Sequence, residues 1–271
     1  MGKIKVAVET YSWEMAEKSY KGNLEHIMQV AKQAGFTGIE PETSFFGYLS
    51  DPLKMKAALE KHGLELAALC HVEDWRQPQE TAEERANANK WMGFLSHFPE
   101  TIYLPVQMPG KDRSDLKARQ RNLISCVNTL AERAADKGIT CSYHPNSPAG
   151  SVFRTKEDYQ ILLNGLNPKW IGYCPDLGHI AKAGMDPLTI LKEYRSLVNL
   201  VHFKDMYADG SWAPTGDGII DFQGITQYLI DTDYEGWIIM EDECDACITD
   251  PDAVTLQDGT FIDEEIRSLL I

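Results

Sequence analysis

The chain has 271 residues, 43% of them hydrophobic and 25% charged, with a formal net charge of −15. That composition suits a globular protein with a sizeable core, and no run of about 18 apolar residues predicts a membrane span. The acid excess disfavours a nucleic-acid backbone as partner, because such proteins usually present a basic face.

The N-terminal "MGKIKVAVETYSW" enters a strand pattern at once. It lacks the apolar core, roughly 7–15 residues long, of a secretory signal. It also lacks the Ser or Thr of a myristoylation signal. A cytoplasmic location with six reduced cysteines is therefore expected. The Cys244-x-x-Cys247 pair, without a second such pair, is a weak signal for a structural zinc.

In chain order the strand candidates are "IKVAVET", "TGIEPE", "ELAALCHV", "TIYLPVQ", "ITCSYH", "IGYCPD", "LVNLVHFKD" and "GWIIME". Between them lie segments with apolar residues at helical spacing. "LEHIMQVAKQAG", "PLKMKAALEKHG" and "ARQRNLISCVNTLAERAADKG" each end in Gly, a usual helix stop, and "LTILKEYRS" follows later. "DPLKMKAAL" and "SDLKARQRN" read as helix starts capped by Ser or Asp, with Pro in the first turn of the former. Eight strand–helix units predict an α/β fold, a single (β/α)8 TIM barrel over residues 1–271, with an open doubly wound sheet as the alternative. The longest irregular stretch is "MYADGSWAPTGDGIID", after the seventh strand. A loop of that length is usually functional, and a lid is expected, with Gly216 and Gly218 allowing its turns.

Such barrels place their active sites at the C-terminal ends of the strands. Here those ends carry Glu40 and Glu42, His71, Gln107, His144 and Asn146, Asp176, His202 and Lys204, and Glu241 and Glu243. Residues two apart share a strand face, so His144/Asn146, His202/Lys204 and Glu241/Glu243 point together. Asp176 could simply cap the helix that follows it. A single His or Asp is more often a satisfied core group. So many unpaired charges at strand ends would be prohibitive without a metal or partner. Carboxylate and imidazole donors suit one divalent ion. Mn²⁺ is favoured, Co²⁺ and Zn²⁺ are possible, and Mg²⁺ is less suited to imidazole. Glu42 and Glu243 are read as solvated rim charges.

These residues resemble the xylose-isomerase-like barrel superfamily of sugar isomerases and epimerases, inosose dehydratases and endonuclease IV-type proteins. "CPDLGH" looks like its Asp-x-x-His signature, "VHFKD" like its His-x-Lys-Asp motif, and "YEGWIIMEDE" like its last strand. "GDGIIDF" resembles a loop of the inosose dehydratases. The resemblance implies Asp176, His202 and Glu241 as metal ligands, with His144 as a fourth ligand or as a base. It implies His179 and Lys204 as groups that meet substrate. In one respect the chain departs from the isomerase pattern: they carry Glu at the end of strand five, where "GITCSYHPN" puts His144. The dehydratase branch fits that run better, although Asn146 stands where a second His is usual.

The chemistry so implied is abstraction of a proton next to a carbonyl, with the ion stabilising the enolate. Imidazole suits the base, because it titrates near neutral pH. Catalytic roles are expected for His144, Glu241 and Lys204. Substrate contacts are expected from His179, Glu40, His71, Gln107 and Asn146, and from Trp13 as an apolar wall, unless Trp13 is plain core. Without the strand-five Glu, β-elimination from a keto-sugar, keto-glycoside or keto-cyclitol is favoured over isomerisation or epimerisation. A C-glycoside deglycosidase catalytic subunit is a related possibility, which would bring a small partner subunit; a homo-oligomer or a non-catalytic barrel stays open.

Overall fold

The computed structural model describes residues 4–16 and 20–270, so the reading of residues 1–3 lies outside it. In chain order the strands are β1 (Ile4–Glu9), β2 (Gly38–Glu40), β3 (Glu65–Leu66), β4 (Ala68–Glu73), β5 (Ile102–Gln107), β6 (Cys141–Tyr143), β7 (Ile171–Tyr173), β8 (Val201–Phe203), β9 (Asp205–Met206), β10 (Trp212–Ala213) and β11 (Gly236–Met240). They fall into two compact units, one of residues 1–67 and 199–271, the other of Ala68–Val198.

The first unit carries a five-stranded sheet in the order β3-β2-β1-β11-β8. Every pairing in it is parallel. Parallel strands are covered on both faces, which is why β11 reads as an unbroken apolar run and both β1 and β11 are buried along most of their length. Gly38 lies under Trp237, whose ring stands 2.6 Å from where a Cβ would be. Any side chain there would collide with the ring. The helix Pro52–His62 matches its sequence signals: Asp51 accepts from the Leu53 N–H at 2.9 Å, Pro52 opens the first turn, and Gly63 closes the helix at φ +62°.

The second unit carries a parallel four-stranded sheet in the order β4-β5-β6-β7. Its long helix Leu116–Ala135 buries Leu123, Val127, Leu130 and Ala134, a stripe at helical spacing. Removing one such side chain, as in Leu130→Ala, typically costs about 2–5 kcal/mol. Neither expected cap starts this helix. Asp115 stands at its N-terminus in the left-handed region, φ +52°, and makes no side-chain cap bond.

Two expectations from the sequence need correction. The third strand is divided at Ala67: β3 pairs with β2 in the first unit, and β4 pairs with β5 in the second. The segment 206–221 is not structureless. β9 and β10 form a short antiparallel ribbon, Met206 opposite Trp212. Beyond it, the buried Asp205 carboxylate accepts backbone N–H groups of Met206 at 2.8 Å, Gly216 at 3.1 Å, Gly218 at 2.9 Å and Ile220 at 3.3 Å. Gly216 turns the chain at φ +94°, and a Cβ on Gly218 would strike the Asp205 carboxylate at 2.2 Å. Among the described residues no helix is long and apolar enough to cross a membrane.

Candidate active site

In the first unit the strand ends gather an acid-rich group. Lys204, just past β8, is fully buried. Its ammonium donates to Glu241 Oε1 at 2.7 Å and to Glu243. His202, on the same face, meets Glu241 Oε2 through Nδ1 at 2.5 Å and Glu40 Oε2 through Nε2 at 3.2 Å. The predicted shared faces of His202/Lys204 and Glu241/Glu243 are thus seen as contacts. Glu9, at the end of β1, is buried beside them; burial raises its carboxyl well above the usual range, and the charges of Glu241 and Glu40 add to the effect. Glu243 is not a solvated rim charge: its side chain is 15% exposed and paired with Lys204. Glu42 is half-buried, and its backbone N–H donates to Thr10 Oγ1 at 2.9 Å.

Two aromatic rings that no spacing in the sequence marks flank this lysine. Tyr11 and Trp212 have centroids 6.0 and 5.3 Å from its ammonium. Burial, with the nearby Glu243, pushes the Tyr11 hydroxyl up to about 12, so it stays protonated and can donate. Trp13, expected as an apolar wall, is wholly buried, and its indole N–H donates to Asp252 at 2.7 Å. It is a core residue; its ring is spent on packing and its one polar atom on a helix.

In the second unit the strand ends are rich in imidazole. Asp176 is both the cap and more than the cap. Its Oδ1 accepts the His179 N–H at 2.6 Å, starting the helix Leu177–Lys182, while Oδ2 lies 3.4 Å from His144 Nε2. The rings of His144 and His179 meet edge to face, centroids 5.6 Å apart, and Ser147 Oγ lies 2.8 Å from His179 Nδ1. His144, Asp176 and His179 offer ligand atoms all within 4.8 Å of one another. His71 is held by Tyr103 Oη at 2.6 Å and Glu73 at 3.3 Å, and is stacked on the Tyr103 ring. The hydrogen bond from His71 keeps the Glu73 carboxyl below its usual range. Gln107 donates to the Asp74 carbonyl at 3.0 Å, and Asn146 donates to the Gln107 carbonyl at 2.9 Å. These last three residues spend polar atoms on fixing the strand ends.

A divalent ion fits the chemistry of these donors. In the first unit Glu9, Glu40 and Glu241 are buried with one lysine and one histidine, and Glu40 Oε1 is buried without a hydrogen-bond partner. Buried carboxylates in such excess need a further cation or a proton. In the second unit, imidazole and carboxylate donors converge at ligand spacing, the set that suits Mn²⁺, Co²⁺ or Zn²⁺.

The xylose isomerase-like TIM barrel family matches residues 28–265. An inosose dehydratase of Geobacillus kaustophilus is 26% identical over 254 residues, covering 82% of each chain. Among solved structures, the probable 3-DHS dehydratase AsbF of Bacillus anthracis superposes with a TM-score of 0.75 at 16% identity, over 96% of this chain and 99% of that one. The 3-keto-D-glucoside 4-epimerase YcjR of E. coli gives 0.72 at 18% identity, over 96% and 99%. The IolI protein, whose structure holds a zinc atom, gives 0.74 at 14% identity, over 97% and 99%. The chain belongs to the xylose isomerase-like TIM barrel family, and its fold is the (β/α)8 barrel.

Proposed function

We propose that this member of the xylose isomerase-like family, acting as one barrel domain over residues 1–271, removes water from a keto-cyclitol or a related keto-sugar. The observation that carries the reading is His144 beside the Asp176 carboxylate, at the strand end where the isomerase pattern has Glu. The curated relative named inosose dehydratase supports it. Asp176, His202 and Glu241, drawn from the three strand-end motifs, would hold one divalent ion, Mn²⁺ by preference. Bound there, it would supply Lewis-acid stabilisation of negative charge on the substrate oxygen. For His202 to serve, one of its two carboxylate contacts has to give way to the ion.

The residues divide the rest of the work. His144 takes the proton next to the carbonyl. Its contact with Asp176 orients the ring and favours the imidazolium that forms. Lys204, held by Glu241 and Glu243, presents an ammonium to substrate oxygen and can return a proton to the departing hydroxyl. His179, its ring set by Ser147, binds a substrate hydroxyl. Tyr11 and Trp212 flank Lys204 and would supply the apolar wall that Trp13, buried in the core, does not.

The experiment is incubation of a keto-inositol with the Mn²⁺-loaded protein in D2O. Dehydration gives an unsaturated ketone, lighter by water and absorbing in the ultraviolet. Epimerisation gives a product of unchanged mass apart from deuterium. Clean epimerisation, with no unsaturated product, would overturn the reading in favour of the isomerase or epimerase alternative. Metal analysis accompanies it: an Asp176→Ala/Glu241→Ala protein should no longer retain stoichiometric Mn²⁺.

A further inference from the structure

A second group of ligating side chains lies just beyond β11, apart from every residue used above. Asp242, Cys244 and Cys247 are all buried, at 1%, 3% and 0% exposure. Their ligand atoms lie within 4.8 Å of one another. The two sulfurs are 3.8 Å apart, and Cys247 Sγ is 3.8 Å from Asp242 Oδ1. A tetrahedral ion with Zn–S bonds of about 2.3 Å separates two thiolates by roughly 3.8 Å. The sulfurs already stand at that spacing, far beyond the 2.03–2.05 Å or so of a disulfide.

A bland reading is a small core pair of thiols packed on Val254 and Met15. The buried Asp242 carboxylate argues against it: Oδ1 lies 3.8 Å from Cys247 Sγ, where an apolar pair needs no acid. A buried carboxylate and two thiols with ligand atoms all within 4.8 Å of one another make a ligand set.

We infer that Cys244, Cys247 and Asp242 form a structural site for a zinc-type divalent ion, distinct from the site at Asp176, His202 and Glu241. Two thiolates select a borderline-soft ion over Mn²⁺ or Mg²⁺. Binding displaces the two thiol protons to solvent, so occupancy rises with pH. All three donors are buried away from solvent, and the role is to fix backbone. Asp242 already accepts the Cys244 N–H at 2.8 Å and the Thr215 N–H at 3.1 Å. The ion would therefore tie the end of β11, the turn that carries Cys247 and the segment around Thr215 into one piece.

The test uses reduced, chelator-treated full-length protein titrated with Co²⁺ in the absence of oxygen. Only a thiolate site gives a thiolate-to-cobalt charge-transfer band, so the readout is blind to the carboxylate and imidazole site of the proposed reaction. The band should reach one equivalent, bleach on addition of Zn²⁺, and survive in an Asp176→Asn/His202→Asn protein. It should vanish in Cys244→Ser and in Cys247→Ser, and Asp242→Asn should weaken Co²⁺ binding at least about tenfold. No thiolate band at saturating Co²⁺ in folded protein overturns the inference, as does a band that persists in both serine variants. Should those variants fail to fold, alkylation of the native chain decides. One equivalent of Zn²⁺ should protect both thiols from iodoacetamide, and equal alkylation with and without Zn²⁺ counts against the site. A Cys244–Cys247 disulfide that forms in air, with no metal band in the reduced protein, assigns the pair to redox chemistry instead.

Discussion

The strand ends of the two units are built from opposite materials. Those of the first unit bury Glu9, Glu40 and Glu241, with half-buried Glu243, around one lysine and one histidine. Those of the second carry His71, His144 and His179 with a single fully buried acid, Asp176. The first arrangement is held together by charge and is expensive to disturb. The second gathers imidazoles around that one carboxylate. One set of strand ends is therefore rich in buried charge, and the other in imidazole.

The sharpest way to break that contrast is to remove a charge from each side. Lys204→Met leaves Glu241 and Glu243 buried without their cation. It should destabilise the protein by about 3–5 kcal/mol, measured by urea unfolding. His144→Ala should do the reverse: its midpoint stays near that of the unmodified protein, bound metal is retained, and turnover falls by about 10²–10⁴. If His144→Ala loses its metal, the imidazole is a ligand and not the base.

Smaller effects sharpen the picture around these groups. Trp13→Phe removes the indole N–H from Asp252 and should cost about 1–3 kcal/mol of stability while leaving KM unchanged. A raised KM would return Trp13 to the substrate. The smallest effect concerns an ordinary surface acid. Hydrogen bonds from Lys61, then Tyr48, hold the Glu25 carboxyl down at about 2. Because the folded value is depressed, its contribution is complete above the ordinary carboxylate range and is lost as pH falls toward about 2. Glu25 is a surface residue, so screening keeps the contribution below about 1 kcal/mol. Glu25→Gln should flatten the acid limb of the stability profile by no more than that.

Much of this was legible in the sequence, because periodicity reports burial. Strand runs such as "GWIIME", the Asp51-Pro52 helix start and the pairing of His202 with Lys204 on one face all follow from spacing alone. What spacing does not report is which partner a side chain finds across the chain. Tyr11 and Trp212 come to Lys204 from distant segments, and nothing in their neighbours marks them. Trp13 and Glu243 failed for the same reason: Asp252 and Lys204, the groups that settle their roles, are contacts made in three dimensions. The lone Cys-x-x-Cys has a buried carboxylate beside it, Asp242, that no second Cys pair announces. The break at Ala67 was invisible too, since one apolar run serves two sheets.

The Asp205 carboxylate gathers amides from both ends of the segment that follows it. That divides the segment into a part that can vary and a part that cannot. At the tip, Tyr207 accepts from Gly210 and donates to Ser211, a local turn that asks nothing of Asp205. Residues inserted or exchanged there leave the anchoring amides in register. Insertion between Pro214 and Ile220 would shift at least one of them off the carboxylate. The tip is thus a module that descent or design can rewrite while its base stays constant. Hydrogen exchange would show the boundary as fast amides at 208–209 beside slow ones at Gly216 and Gly218.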